Sequence, residues 1–163
     1  MKYITILMLS AAFTSPIDQA NASETAMSDS ESLVIKIDDT LKEYWEIDNR
    51  VAPKYPRAAL KRQKQGCATV GYVIEADGST SGHWVIASSP EKIFDRSAIK
   101  ANKKFSYKPG SQNENNQPVM TINTFTYSLG QGGAAPGKEI ADALEKMCRD
   151  AAVSAIKAKY GPL

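Results

Sequence analysis

Polar and apolar positions alternate along this chain with two different periods. A period near 2 marks residues 67–74, 83–89 and 118–129, and a period near 3.6 marks the segments between them, which predicts strands interleaved with helices. In the first strand Ala68, Val70, Tyr72 and Ile74 fall on one face, with Cys67, Thr69, Gly71 and Val73 on the other. Asp77-Gly78 lies between two strand-like runs and predicts a hairpin. In the second strand His83, Val85 and Ala87 share a face opposite Trp84 and Ile86. The third, Val119 to Leu129, sets Asn123, Phe125, Tyr127 and Leu129 against Met120, Ile122, Thr124 and Thr126.

The helical segments carry their own punctuation. Pro53 and Pro56 hold the backbone extended ahead of a short helix from Pro56 to about Gln63. Phe94, Ala98, Ala101 and Phe105 form the stripe of a second helix, with Ser88 or Ser89 as its cap, Pro90 in its first turn and Pro109-Gly110 as its stop. After a Gly/Ala/Pro linker at 130–137, residues Lys138 to Lys157 predict an amphipathic helix with Ile140, Leu144, Met147, Cys148, Ala151 and Ala155 along one stripe. Nearer the start, Leu33, Ile37, Leu41 and Tyr44 have helical spacing, with Ser30 or Ser32 as cap and an end near Asp48-Asn49. Val34-Ile35 also suits a short strand.

Length and charge then divide the chain. Its 163 residues, 42% of them hydrophobic, suit one domain with tails. Residues 1–22 read as a secretory signal: Lys2, an apolar run from Tyr3 to Phe13, Pro16, and Ala20-Asn21-Ala22 as the cleavage site. Residues 23–50 read as an acidic leader with a helix, 51–130 as the main domain, and 131–163 as linker and C-terminal helix. Residues 23–49 hold eight acids and two lysines, whereas residues 50–108 hold twelve Lys/Arg and four acids. Export to an oxidising compartment is expected, with no membrane span after signal cleavage. Nothing marks a nucleic-acid partner.

No catalytic or cofactor site is expected. His83 is the chain's single histidine and sits among apolar neighbours without a second metal-type ligand at useful spacing. Asp77 belongs to a turn and Asp95 to a helix start, so they make no acid pair, and no GxSxG turn or phosphate loop is present.

The order of motifs resembles the C-terminal domain of the TonB family. The resemblance rests on Tyr55-Pro56 with its short helix, Gly66 opening a strand, Asp77-Gly78, Ser88-Ser89-Pro90, Phe94-Asp95 with Ala98, and Phe105, Tyr107 and Pro109. It implies an α+β fold, a three-stranded antiparallel sheet with two helices on one face, here with an added C-terminal helix. It also implies that a peptide segment of an outer-membrane receptor adds as a strand along the free edge of the third strand. The partner-binding residues so implied are Pro53, Tyr55 and Pro56 at one end and Val119, Thr121, Asn123 and Phe125 along the edge. The membrane helix and long Pro-rich spacer of TonB-like energy transducers find no counterpart in this sequence, Ala52 stands where such proteins often have Gln, and the chain continues past the third strand. A self-associating domain, dimerising through the same edge, or a module binding anionic cell wall is the alternative.

If the two family helices cover the face of Ala68, Val70, Tyr72 and Ile74, the opposite face is left apolar. The C-terminal helix is then expected to pack there, with Cys67 bonded to Cys148; two free buried thiols are the alternative.

Overall fold

The computed structural model describes residues 34–130 and 137–163. The leader up to residue 33, with the signal and its cleavage site, and most of the 130–137 linker lie outside the described residues. In chain order the elements are β1 (Val34–Ile35), α1 (Asp39–Tyr44), β2 (Trp45–Asn49), α2 (Arg57–Lys61), β3 (Gly66–Ile74), β4 (Thr80–Ser89), α3 (Asp95–Asn102), β5 (Ser106–Pro109), β6 (Val119–Tyr127) and α4 (Lys138–Tyr160).

The three long strands form an antiparallel sheet with β3 in the middle, flanked by β4 and β6, and β1 lies parallel to β6 on its outer side. A separate two-stranded ribbon pairs β2 with β5. The fold is α+β, as expected. β3 is buried along nearly its whole length because both of its faces are covered. On one side Ala68, Val70, Tyr72 and Ile74 meet Val119, Phe125 and Tyr127 of β6, Ala59 of α2, and Ala98 and Ala101 of α3. On the other, Met120 and Ile122 meet Ala152 and Ile156 of α4, with Ile86 and Ala87 packed alongside.

The C-terminal helix thus closes the sheet's second face, and a disulfide joins Cys67 of β3 to Cys148 of α4 across 81 residues. Its buried stripe is Cys148, Ala152 and Ile156. Ile140, Met147, Ala151 and Ala155, expected on that stripe, are exposed. With the disulfide holding Cys148 against the sheet, the residues four and eight later follow it inward, and those one position earlier rotate out.

Two bulges modify β4. The pairing steps from Thr69↔Ala87 to Val70↔Val85, and from Gly71↔Trp84 to Val73↔Ser81. Strict alternation put Ala87 with Val85, but the first extra residue moves Ala87 to the α4 face while Val85 stays with the larger core. Gly82, at φ 58°, supplies the left-handed backbone next to the second bulge. At the hairpin Asp77 Oδ1 accepts the Ser79 amide at 2.9 Å. Gly78 there has φ 79° and its carbonyl accepts the Tyr107 amide at 2.9 Å. A Cβ on Gly78 would strike the Tyr107 carbonyl, so turn and β5 lock together.

The segment expected as one helix from Leu33 breaks into β1, α1 and β2. Trp45 decides this: it is 1% exposed and its indole Nε1 donates to the Gln117 carbonyl at 3.1 Å. Burying that ring against the 113–117 loop favours an extended segment over a continuous helix. The helix after Pro90 also begins later than expected, at Asp95, with Phe94 rather than a serine at its cap and a cis Ser89–Pro90 peptide before it.

Candidate functional site

The edge to which a partner strand was assigned is the outer side of β6. In a strand, the N–H and C=O of one residue point the same way, and successive residues alternate. The Lys36 amide donates to the Met120 carbonyl at 3.0 Å, so Met120 points outward, away from β3. Thr121, Asn123 and Phe125 therefore bond inward, opposite Tyr72, Val70 and Ala68. The outward ladder belongs to Met120, Ile122, Thr124 and Thr126.

Part of that ladder is already in use. β1 pairs with Val119 and Met120 in parallel register, and no strand follows it past Met120 among the described residues. The chain then turns away: Thr40 Oγ1 donates to the Ile37 carbonyl at 2.8 Å, and α1 begins at Asp39. Arg149 of α4 forms an ion pair with Asp38 at this corner. Among the described residues, the stretch left without a neighbouring strand runs from Ile122 to Tyr127.

The seven residues named from the sequence are thereby sorted. Val119, Thr121 and Phe125 have side chains buried in the sheet's interior, and Asn123 is half-buried with its Oδ1 accepting from Arg50 Nη2 at 3.3 Å. The side chains of Val119, Thr121 and Phe125 face the interior, and along the edge it is the intervening residues whose main-chain groups point outward. Tyr55 sits at the far end. Its ring meets Phe94 and Tyr127 edge-on, at 5.8 Å and 5.7 Å, and its hydroxyl donates to the Lys64 carbonyl at 2.5 Å. The nine-residue strand from Val119 to Tyr127 is roughly 26 Å long at the usual rise, so Tyr55 and β1 bracket opposite ends. Pro53 and Pro56 are half-buried beside Tyr55.

Burial governs the titration of the aromatic groups. It pushes the Tyr127 hydroxyl up to about 12, raises Tyr55, and raises Tyr72 and Tyr107, whose hydroxyls lie 2.5 Å apart. His83 is held below its ordinary value by burial and by the Lys103 charge. Its ring stacks on Tyr72 with centroids 6.0 Å apart, and Nε2 lies 3.1 Å from Thr80 Oγ1. Such an imidazole packs the hairpin. No group of three or more metal-type ligands occurs among the described residues.

Sequence reasoning held β1 only as an alternative to a helix, and it missed the Trp45 anchor and Arg50. The β-branched pair Val34-Ile35 and an isolated tryptophan in an acidic stretch were the available signals.

Residues 51–129 match the family model described as the Gram-negative bacterial TonB protein C-terminal. These residues are similar to TonB C-terminal domains. No curated protein matches the chain detectably. Among solved structures, the Pseudomonas aeruginosa TonB C-terminal domain aligns with TM-score 0.48 and 22% identity over 60% of this chain and 96% of that one. The Helicobacter pylori TonB C-terminal domain aligns with TM-score 0.38 and 26% identity, covering 48% and 83%. A TonB2 protein from Vibrio anguillarum aligns with TM-score 0.39 and 20% identity, covering 78% and 100%. The matched stretch begins after β1, α1 and β2, so the strand that lies on the β6 edge comes from outside it. No helix of the described residues is long and apolar enough to cross a membrane.

Proposed function

We propose that this chain is a periplasmic TonB-like binding protein that takes up an extended segment of an outer-membrane transporter by strand addition along β6, in TonB-dependent transport. The observation that carries the reading is the outward backbone of Ile122, Thr124 and Thr126, which no strand of the described residues pairs. Three outward residues offer three donors and three acceptors, enough for a short added strand. The Cys67–Cys148 disulfide supports an oxidising location such as the periplasm. The match of residues 51–129 to the TonB C-terminal family supports the transporter as partner. The domain boundaries at 22, 50 and 130 and the roles of Pro53, Tyr55 and Pro56 belong to the same proposal.

Labelled peptides from the periplasm-facing segments of the host's outer-membrane transporters, titrated against the purified protein, test it. Saturable binding that protects the Ile122, Thr124 and Thr126 amides from hydrogen exchange is the expected result. Absence of binding across the whole set, or protection confined to other elements, would overturn it.

A further inference from the structure

A groove of about 780 Å³ runs between α3 and the segment that precedes α2. Five cationic residues line it: Lys54, Lys92, Arg96, Lys100 and Lys104. All five are exposed, and among the described residues none forms an ion pair with a carboxylate. The acids adjacent in sequence, Glu91 and Asp95, do not line the groove. On α4 the arrangement is the opposite, since Lys138 and Lys146 each pair with an aspartate one turn on. A merely solvated surface is served by such interspersed pairs. Like charges one turn apart, as at Arg96 and Lys100, repel and destabilise the helix that carries them.

The floor of the groove is apolar, formed by Val51, Tyr55 and Ile93. Its walls are tied together: the Ser97 hydroxyl donates to the Lys54 carbonyl, and Asn49 Nδ2 donates to the Lys104 carbonyl at 2.8 Å. The charge is therefore held in a set shape rather than scattered on loose loops. Four of the five cations are lysines, which act as point charges rather than as the planar forks that wrap one phosphate. The first turn of α3 already holds Asp95, which disfavours a single anion there. Spread positive charge above an apolar floor fits a ligand whose negative charge is also spread and whose backbone carries apolar side chains.

We propose that this groove binds an acidic polypeptide segment, with carboxylates set against the five cations and an apolar side chain on Tyr55 and Ile93. This site shares Tyr55 and Pro56 with the far end of the proposed transporter site, but it uses none of the β6 ladder and does not depend on strand addition. Its affinity falls as salt rises, because exposed charges are screened within about a Debye length of roughly 8 Å at physiological ionic strength.

Fluorescence anisotropy of the purified chain with a labelled Glu-Leu repeat peptide tests it, with a Lys-Leu repeat as the opposite-charge probe. In Arg96→Glu with Lys100→Glu, affinity for the Glu-Leu peptide falls by about tenfold or more. Lys157→Glu with Lys159→Glu makes the same change in net charge at the far end of α4, and its affinity stays within about twofold. Circular dichroism confirms that both variants keep the native fold. Equal losses in the two variants would mean that net charge alone drives binding and would overturn the site. So would absence of Glu-Leu binding at low salt. Preferential capture by phosphatidylglycerol vesicles or by inorganic phosphate, with the groove variant losing that instead, would overturn the polypeptide assignment.

Discussion

Replacing Thr124 by proline isolates the outward ladder from the fold. The Thr124 N–H points away from β3, since Met120 two pleats earlier bonds to Lys36 on the same outer side. Proline is accepted in an edge strand where the missing N–H faced solvent, so Thr124→Pro should change stability by only about 1 kcal/mol. Part of that is the lost contact between Thr124 and Thr69 hydroxyls, 2.8 Å apart. A bound strand, in contrast, loses a donor at its centre: roughly 1 kcal/mol for the bond and about 1 kcal/mol more for the partner's stranded carbonyl. Together these weaken binding by about thirtyfold. Thr124→Ala keeps the N–H and loses only the hydroxyl, so it should bind nearly as the parent does. Asn123→Pro removes a bond inside the β3–β6 ladder and should lower stability by about 1–3 kcal/mol. Peptide titration and urea unfolding of the three variants give the answer. If Thr124→Pro binds as tightly as the parent, or Thr124→Ala loses as much, strand addition on this side of β6 is wrong.

Other expectations follow from the same contacts. Lys36→Pro removes the donor to Met120; it should speed exchange of the Met120 amide and, by lengthening the open ladder, tighten peptide binding about fivefold, whereas weaker binding would mean that β1 is part of the site. Reducing the disulfide, which closes a loop spanning 81 residues, should lower stability by about 4 kcal/mol on chain-entropy grounds; an unchanged urea midpoint in reductant would refute that. The raised tyrosine values predict alkaline sensitivity. A hydroxyl kept neutral in the fold contributes stability that is complete below its unfolded value of 10.0 and is lost as pH rises toward about 12 for Tyr127. Tyrosinate absorbance of the native protein showing all tyrosines ionising together near pH 10 would contradict it.

The sequence by itself determined what depends on near neighbours. Alternation in β3 and β6, Asp77-Gly78 at the turn and the 3.6 period of α4 are local, because side-chain direction follows backbone period and a turn follows its own residues. The pairing of Cys67 with Cys148 was an expectation only once the family resemblance had placed two helices on one face of β3, and free thiols were its alternative. Tertiary structure decided the rest. The stripe of α4 that faces inward depends on where Cys148 is anchored, and Ala87 changed faces because of a bulge whose extra residue leaves no mark in the alternation. Trp45 and β1 owe their conformations to the 113–117 loop and to the Val119–Met120 end of β6, more than seventy residues away. Short segments form only when packing outweighs the entropy of ordering them, so their state is set by a partner that no local pattern reveals. The same holds for the candidate site: period 2 showed that β6 could be an edge, but which backbone groups point outward, and how many remain open, came from one long-range hydrogen bond.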